Sequence, residues 1–215
     1  MAYVTLEALK RILKIPMDVT TDDTLLTELI ADATNIVNIY LDRKFEASVD
    51  TVRKFDAVRY REYADRMQIE YYQYFDYYDQ RVLWLGKYDL AQITSIVNGD
   101  GTTVASTEYV TLPINAIADE RPIYAIRLKL DSDIVWTWNN SPDAAIVVTG
   151  RWAYSVTCPG AISFATKRLA QYLYKQKDTS AELDRTIYTA DGMVVPNSLP
   201  ADVVQYLEPY KRLVI

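Results

Sequence analysis

The chain has 215 residues, of which half are hydrophobic and a quarter charged, enough for one large domain or a domain carrying a sizeable insertion. A formal charge of −6 argues against a protein that grips nucleic acid, which presents a basic face. The absence of histidine and the single cysteine, Cys158, all but exclude a zinc site, rule out an internal disulfide framework and remove the commonest general base.

The first helix is predicted from Thr5 to Ile15, capped by Thr5, striped by Leu6, Leu9, Ile12 and Leu13 and stopped by Pro16. A stronger one runs from Asp22 to Leu41, where Leu25, Leu26, Leu29, Ile30, Ala33, Ile36, Val37, Tyr40 and Leu41 make one broad apolar face. From about Val52 the pattern becomes short strands: Val82 to Leu85, Ile93 to Val97, Tyr109 to Leu112, Ile123 to Leu130, Ile134 to Trp138 and Ala145 to Tyr154. Within Ile123 to Leu130, alternation puts Tyr124, Ile126, Leu128 and Leu130 on one face. Turn sequences at Asn98 to Gly101 and Asn139 to Asp143 fit an antiparallel sheet or small sandwich. Helical periodicity returns from Ala161 to Lys177 with Ile162, Ala165, Leu169, Tyr172 and Leu173 on its face, and again after Pro200 with Val203, Val204, Leu207 and Tyr210.

The order of helices, strands and helices predicts an α+β class, a small helical bundle with an inserted antiparallel β-sheet or sandwich domain. The expected divisions are residues 1–50 for the first bundle helices, 51–157 for the β insertion with a Tyr-rich hairpin, and 158–215 for the last helices and tail.

The Tyr-rich stretch holds Tyr71, Tyr72, Tyr74, Tyr77 and Tyr78. Aromatic faces among arginines invite a base-stacking reading, but Asp65, Glu70, Asp76 and Asp79 repel phosphates, and tyrosine is typical of protein contacts. These residues are therefore assigned to a subunit or partner contact. Trp84, Trp136, Trp138 and Trp152 are read as sheet core, with a carbohydrate platform as the rival. Asp22 with Asp23 reads as a helix cap and Asp131 with Asp133 as a turn. No phosphate loop, nucleophile elbow or calcium-loop spacing is present, so no catalytic residue, metal or cofactor is expected and the chain is not expected to be an enzyme. No stretch reaches the roughly 18 apolar residues of a membrane helix, and the first residues lack the basic-then-apolar order of a signal peptide. Manufacture in a cytoplasm, away from membranes, is expected, and the lone thiol fits a reducing compartment.

Three stretches together resemble the head–tail connector (adaptor) proteins of long-tailed bacteriophages. The first comprises Leu6 to Leu13 (LEALKRIL), Asp22 to Thr34 (DDTLLTELIADAT) and Tyr40 to Phe45 (YLDRKF). The second comprises Leu90 to Gly99 (LAQITSIVNG), Glu108 to Val110 (EYV) and Val148 to Tyr154 (VTGRWAY). The third comprises Pro159 to Ile162 (PGAI), Tyr172 to Lys175 (YLYK), Leu199 to Val204 (LPADVV) and Pro209 to Leu213 (PYKRL). The resemblance implies a structural virion protein at the neck of the capsid vertex, assembled in the host cytoplasm. It implies a ring of copies, usually twelve, docked under the portal protein, extending the DNA channel and receiving the tail or the next neck protein. DNA would pass this wall without specific binding. Carried onto this sequence, the portal-binding residues are Leu207, Tyr210, Lys211, Arg212, Leu213 and Ile215, and a chain cut after Pro200 is expected to fold but dock poorly. The alternatives are another neck or tail-completion protein, or a carbohydrate-binding adhesion module.

Overall fold

The computed structural model describes residues 2–57, 81–176, 186–188, 194–196 and 199–212. The chain divides into two compact units, Met1–Glu46 with Cys158–Ile215, and Ala47–Thr157. The class is α+β, with the strands of the second unit interrupting a helical one in the chain.

The helical unit contains α1 (Leu6–Leu13), α2 (Asp23–Leu41), α3 (Gly160–Gln176) and α4 (Ala201–Leu207), the last followed by a 3₁₀ turn, Glu208–Tyr210. Thr5 caps α1, its Oγ1 accepting from the Ala8 amide at 3.2 Å. The helix stops short of the expected Ile15 because Lys14 turns left-handed at φ 59° and its amide closes on the carbonyls of Lys10 and Arg11. Asp22 stands at the N-cap of α2, but its carboxylate makes no cap bond; it accepts the Tyr174 hydroxyl instead.

Lys10 is buried in α1, and its Nζ donates to the Val19 carbonyl at 2.6 Å, to Asp23 Oδ1 at 2.6 Å and to the Met17 carbonyl at 3.4 Å. One cation thus ties the polar α1–α2 connection to the start of α2. The apolar faces then meet: Leu26, Ile30, Val37 and Leu41 of α2 and Ile162 and Leu169 of α3 are buried, and α2 packs on α3. Ala33 and Ala165, both fully buried, let the two helices approach closely. Asp22 meets Tyr174 at one end, while Asn38 and Ser163 share Tyr3 at the other, so α2 and α3 run antiparallel. α4 is antiparallel to α3 in turn, with Arg168 on Asp202 and Phe164 on Tyr206.

The strand unit holds two three-stranded antiparallel sheets. One orders β1 (Thr51–Phe55), β6 (Ile146–Arg151) and β3 (Gln92–Val97); the other orders β2 (Val82–Trp84), β5 (Ala125–Leu128) and β4 (Tyr109–Leu112). Ile96, Ile146 and Val148 from the first sheet and Leu83, Ile126 and Leu128 from the second share one apolar cluster with Trp136 and Trp152. β3 carries a bulge between Ile93 and Ser95. Gly150 lies across from it, and a Cβ there would fall 2.2 Å from the Gln92 carbonyl oxygen, so only glycine fits this crossing. A third pair, β7 (Thr186–Tyr188) with β8 (Val194–Pro196), is an antiparallel hairpin outside both sheets.

Two expectations for the strand unit fail for local reasons. Ile134 to Trp138 forms no strand; it makes only an isolated bridge from Trp138 to Gly99. The buried Asn98 side chain serves its backbone instead, accepting from the Thr137 amide at 3.0 Å and donating to the Val135 carbonyl at 2.8 Å. The alternation from Tyr124 to Leu130 holds only at its centre. β5 is the middle strand of its sheet, so Ala125, Ile126 and Leu128 are all buried, whereas Tyr124 and Leu130 at the ends are exposed.

Candidate functional site

The described part of the segment expected to reach a partner, residues 207–212, lies beside a ladder of aromatic rings. Phe45 is fully buried; Tyr3 meets it edge-on at 6.1 Å and Tyr210 edge-on at 5.8 Å. Tyr3 fixes this ladder, its hydroxyl accepting the Phe45 amide at 2.8 Å and donating to Asn38 Oδ1 at 2.5 Å. Burial pushes the Tyr3 phenol up to about 12. Beside it, the Tyr40 hydroxyl donates to Glu208 Oε2 at 3.2 Å, and Lys211 lies over the Tyr40 ring at 5.4 Å and 3.8 Å from Glu208 Oε1.

These contacts sort the expected portal-binding residues. Leu207 is fully buried, so its side chain serves the bundle core and cannot meet a partner; the expectation for it is corrected. Tyr210 and Arg212 are half-buried and Lys211 is exposed at the end of the anchored turn. Leu213 and Ile215 lie outside the described residues, as do Tyr71, Tyr72, Tyr74, Tyr77 and Tyr78. The cut after Pro200 is corrected on the same ground as Leu207: it would remove Val203 and Leu207, both fully buried.

Of the four tryptophans, Trp136 and Trp152 are buried, their indole N–H groups donating to the carbonyls of Arg81 and Thr51 at 3.0 and 2.9 Å. Trp138, read as sheet core, is 41% exposed, because no regular strand runs through Ile134 to Trp138. Trp84 is exposed and stacks on Tyr124 at 5.9 Å. Burial and the nearby Glu46 charge push the Cys158 thiol up to about 12, so at neutral pH it is a protonated group without nucleophilic character. Among the described residues no group of three or more His, Cys, Asp or Glu could hold a metal ion, and no helix is long and apolar enough to cross a membrane.

A surface not singled out in the sequence lies on α3 and α4. Phe164, Tyr172 and Tyr206 are exposed, with Phe164 edge-on to Tyr206 at 4.9 Å and Arg168 bound to Asp202 at 2.7 Å beside them. Hydrogen bonding to Arg168 holds the Asp202 carboxyl below its usual range. The sequence pattern puts Tyr172 on the apolar face of α3, whereas the structure exposes it. The signal that locates it correctly is Phe164, Arg168 and Tyr172 at successive fourth positions, one stripe on the helix.

Known proteins match this chain through the fold. No family model matches, and no curated protein matches. Among solved structures, a chain in the neck of an empty gene transfer agent particle, computed with sixfold symmetry, superposes with a TM-score of 0.53 over 98% of this chain and 90% of that one, at 14% identity. A chain of the native gene transfer agent virion superposes with a TM-score of 0.51 over 93% and 82% of the two chains, also at 14% identity. Both units and their order in the chain are therefore shared with these particle proteins as a fold.

Proposed function

We propose that this chain is a structural neck protein of a phage-like particle, a head–tail connector whose copies form a ring beneath the portal, extend the DNA channel and receive the tail or the next neck protein. The observation that carries the reading is the likeness over 98% of the chain to a protein of an assembled particle neck. A match of this extent includes the order helices, strand unit, helices, rather than one common motif within it.

The chemistry of the chain supports it. An acidic balance of −6 keeps a channel wall from holding the passing DNA. The half-buried Cys158 thiol stays protonated at neutral pH and no histidine is present, which fits a part that works by contact and not by catalysis. The turn carrying Tyr210, Lys211 and Arg212 is held by the Tyr210 ring on Phe45 and by Lys211 over the Tyr40 ring, which supports its use as a docking surface for the portal.

A second reading, another ring of the neck or tail-completion machinery, is supported by the same likeness to a protein of an assembled neck. The two readings differ in partner and copy number. Purified protein mixed with its cognate portal and viewed by electron microscopy tests them: a stacked ring of twelve copies supports the connector. A ring of six that ignores the portal supports the second reading.

A further inference from the structure

Two adjacent helices of the bundle carry opposite charge. α2 contains Asp23, Glu28 and Asp32 and no lysine or arginine; α3 contains Lys167, Arg168 and Lys175 and no aspartate or glutamate. Asp23 is paired with Lys10, and Arg168 with Asp202. Glu28, Asp32, Lys167 and Lys175 have no ion-pair partner among the described residues.

Glu28, Asp32 and Lys175 are exposed and Lys167 is half-buried. On α2 the exposed side runs through Thr24, Glu28, Ala31, Asp32, Asn35 and Ile39, the last 70% exposed. On α3 it runs through Phe164, Arg168, Tyr172 and Lys175, widened by Tyr206 of α4. Aromatic rings around an arginine are the composition of a protein contact and not of an ordinary solvated helix. Because α2 and α3 pack through their buried faces, their outward faces do not neutralise each other within one copy.

We infer that the α2 face of one copy docks on the α3–α4 face of the next, with Glu28 and Asp32 opposite Lys167 and Lys175 and with Ile39 against the aromatic rings. The two faces differ, so each contact leaves one face of each kind free for a further copy, and repetition by rotation closes a ring. A twofold pair through α2 would set acid on acid, which disfavours a closed dimer. This deepens the connector reading by naming the faces through which its ring is built.

Two double variants test it: E28K with D32K, and K167E with K175E, each checked for native circular dichroism. Assembly is followed by sedimentation, for the protein alone and with portal. Each double variant is expected to weaken self-association by on the order of 100-fold, and mixing the two is expected to restore it, since one reversed pair of faces then matches. Assembly of either folded variant at wild-type strength, or no recovery in the mixture, would overturn the pairing. A ring that reversal breaks and mixing restores, but that does not bind portal, would uphold the pairing and overturn the connector reading. Wild-type protein that forms no oligomer either alone or on portal would overturn both.

Discussion

Lys10 shows how one residue can organise a connection. Its ammonium satisfies two carbonyls and the Asp23 carboxylate while its own side chain is 3% exposed. Lys10→Ala leaves those acceptors without their donor, and the expected loss of stability in urea unfolding is about 2–4 kcal/mol; a loss below ~0.5 kcal/mol would show that water replaces the lysine at no cost. Tyr3 and Cys158 give the same unit an alkaline limit. Both are acids whose folded values stand at about 12, from ordinary values of 10.0 and 9.0. The unfolded chain therefore loses these protons first as the pH rises, so the unfolded state is favoured progressively. The stability that these two groups contribute is full below pH 9.0 and is lost between pH 9.0 and about 12. Tyr3 alone accounts for about 2–3 kcal/mol of this fall. Thermal melts across that range should steepen in their decline above pH 10.0, the ordinary tyrosine value, and Tyr3→Phe should flatten it; an unchanged slope in the variant would count against the buried phenol.

At the scale of elements, α4 is both a core helix and the root of the tail, and the two roles can be separated by truncation. Ending the chain after Arg212 keeps Val203 and Leu207 in the bundle and Tyr210 on Phe45. That protein is expected to melt within a few degrees of the full chain yet bind portal weakly. Ending it after Pro200 removes two fully buried side chains, and at about 2–5 kcal/mol each the bundle is expected to unfold. Equal melting of both truncated chains would contradict the placement of α4. The α+β class and α2 were legible because Leu26, Ile30, Ala33, Val37 and Leu41 repeat at helical spacing over nineteen residues, a signal that local propensity and burial both reinforce. Ile134 to Trp138 read as a strand because its residues suit one, and the Asn98 side chain that captures its backbone lies 37 residues away from Val135. Leu207 falls on the apolar side of its helix, and periodicity alone does not say whether that face meets α3 or another molecule. The outward stripe of Phe164, Arg168 and Tyr172 was written in the sequence at fourth-residue spacing, but the competing apolar stripe drew Tyr172 into the core.

The molecule as a whole joins a helical unit with outward faces of opposite charge to a strand unit closed around its own apolar cluster. Its charge of −6 is distributed unevenly, with α2 acidic and α3 basic, which a ring of identical copies can use and an isolated monomer cannot. Whether such copies assemble on a portal is visible when the protein is mixed with its portal and imaged in the electron microscope. A stacked ring with twelve copies of this chain, seated on the portal through the segment after Leu207, is the predicted result. Well-folded protein that stays apart from the portal at high concentration would contradict it.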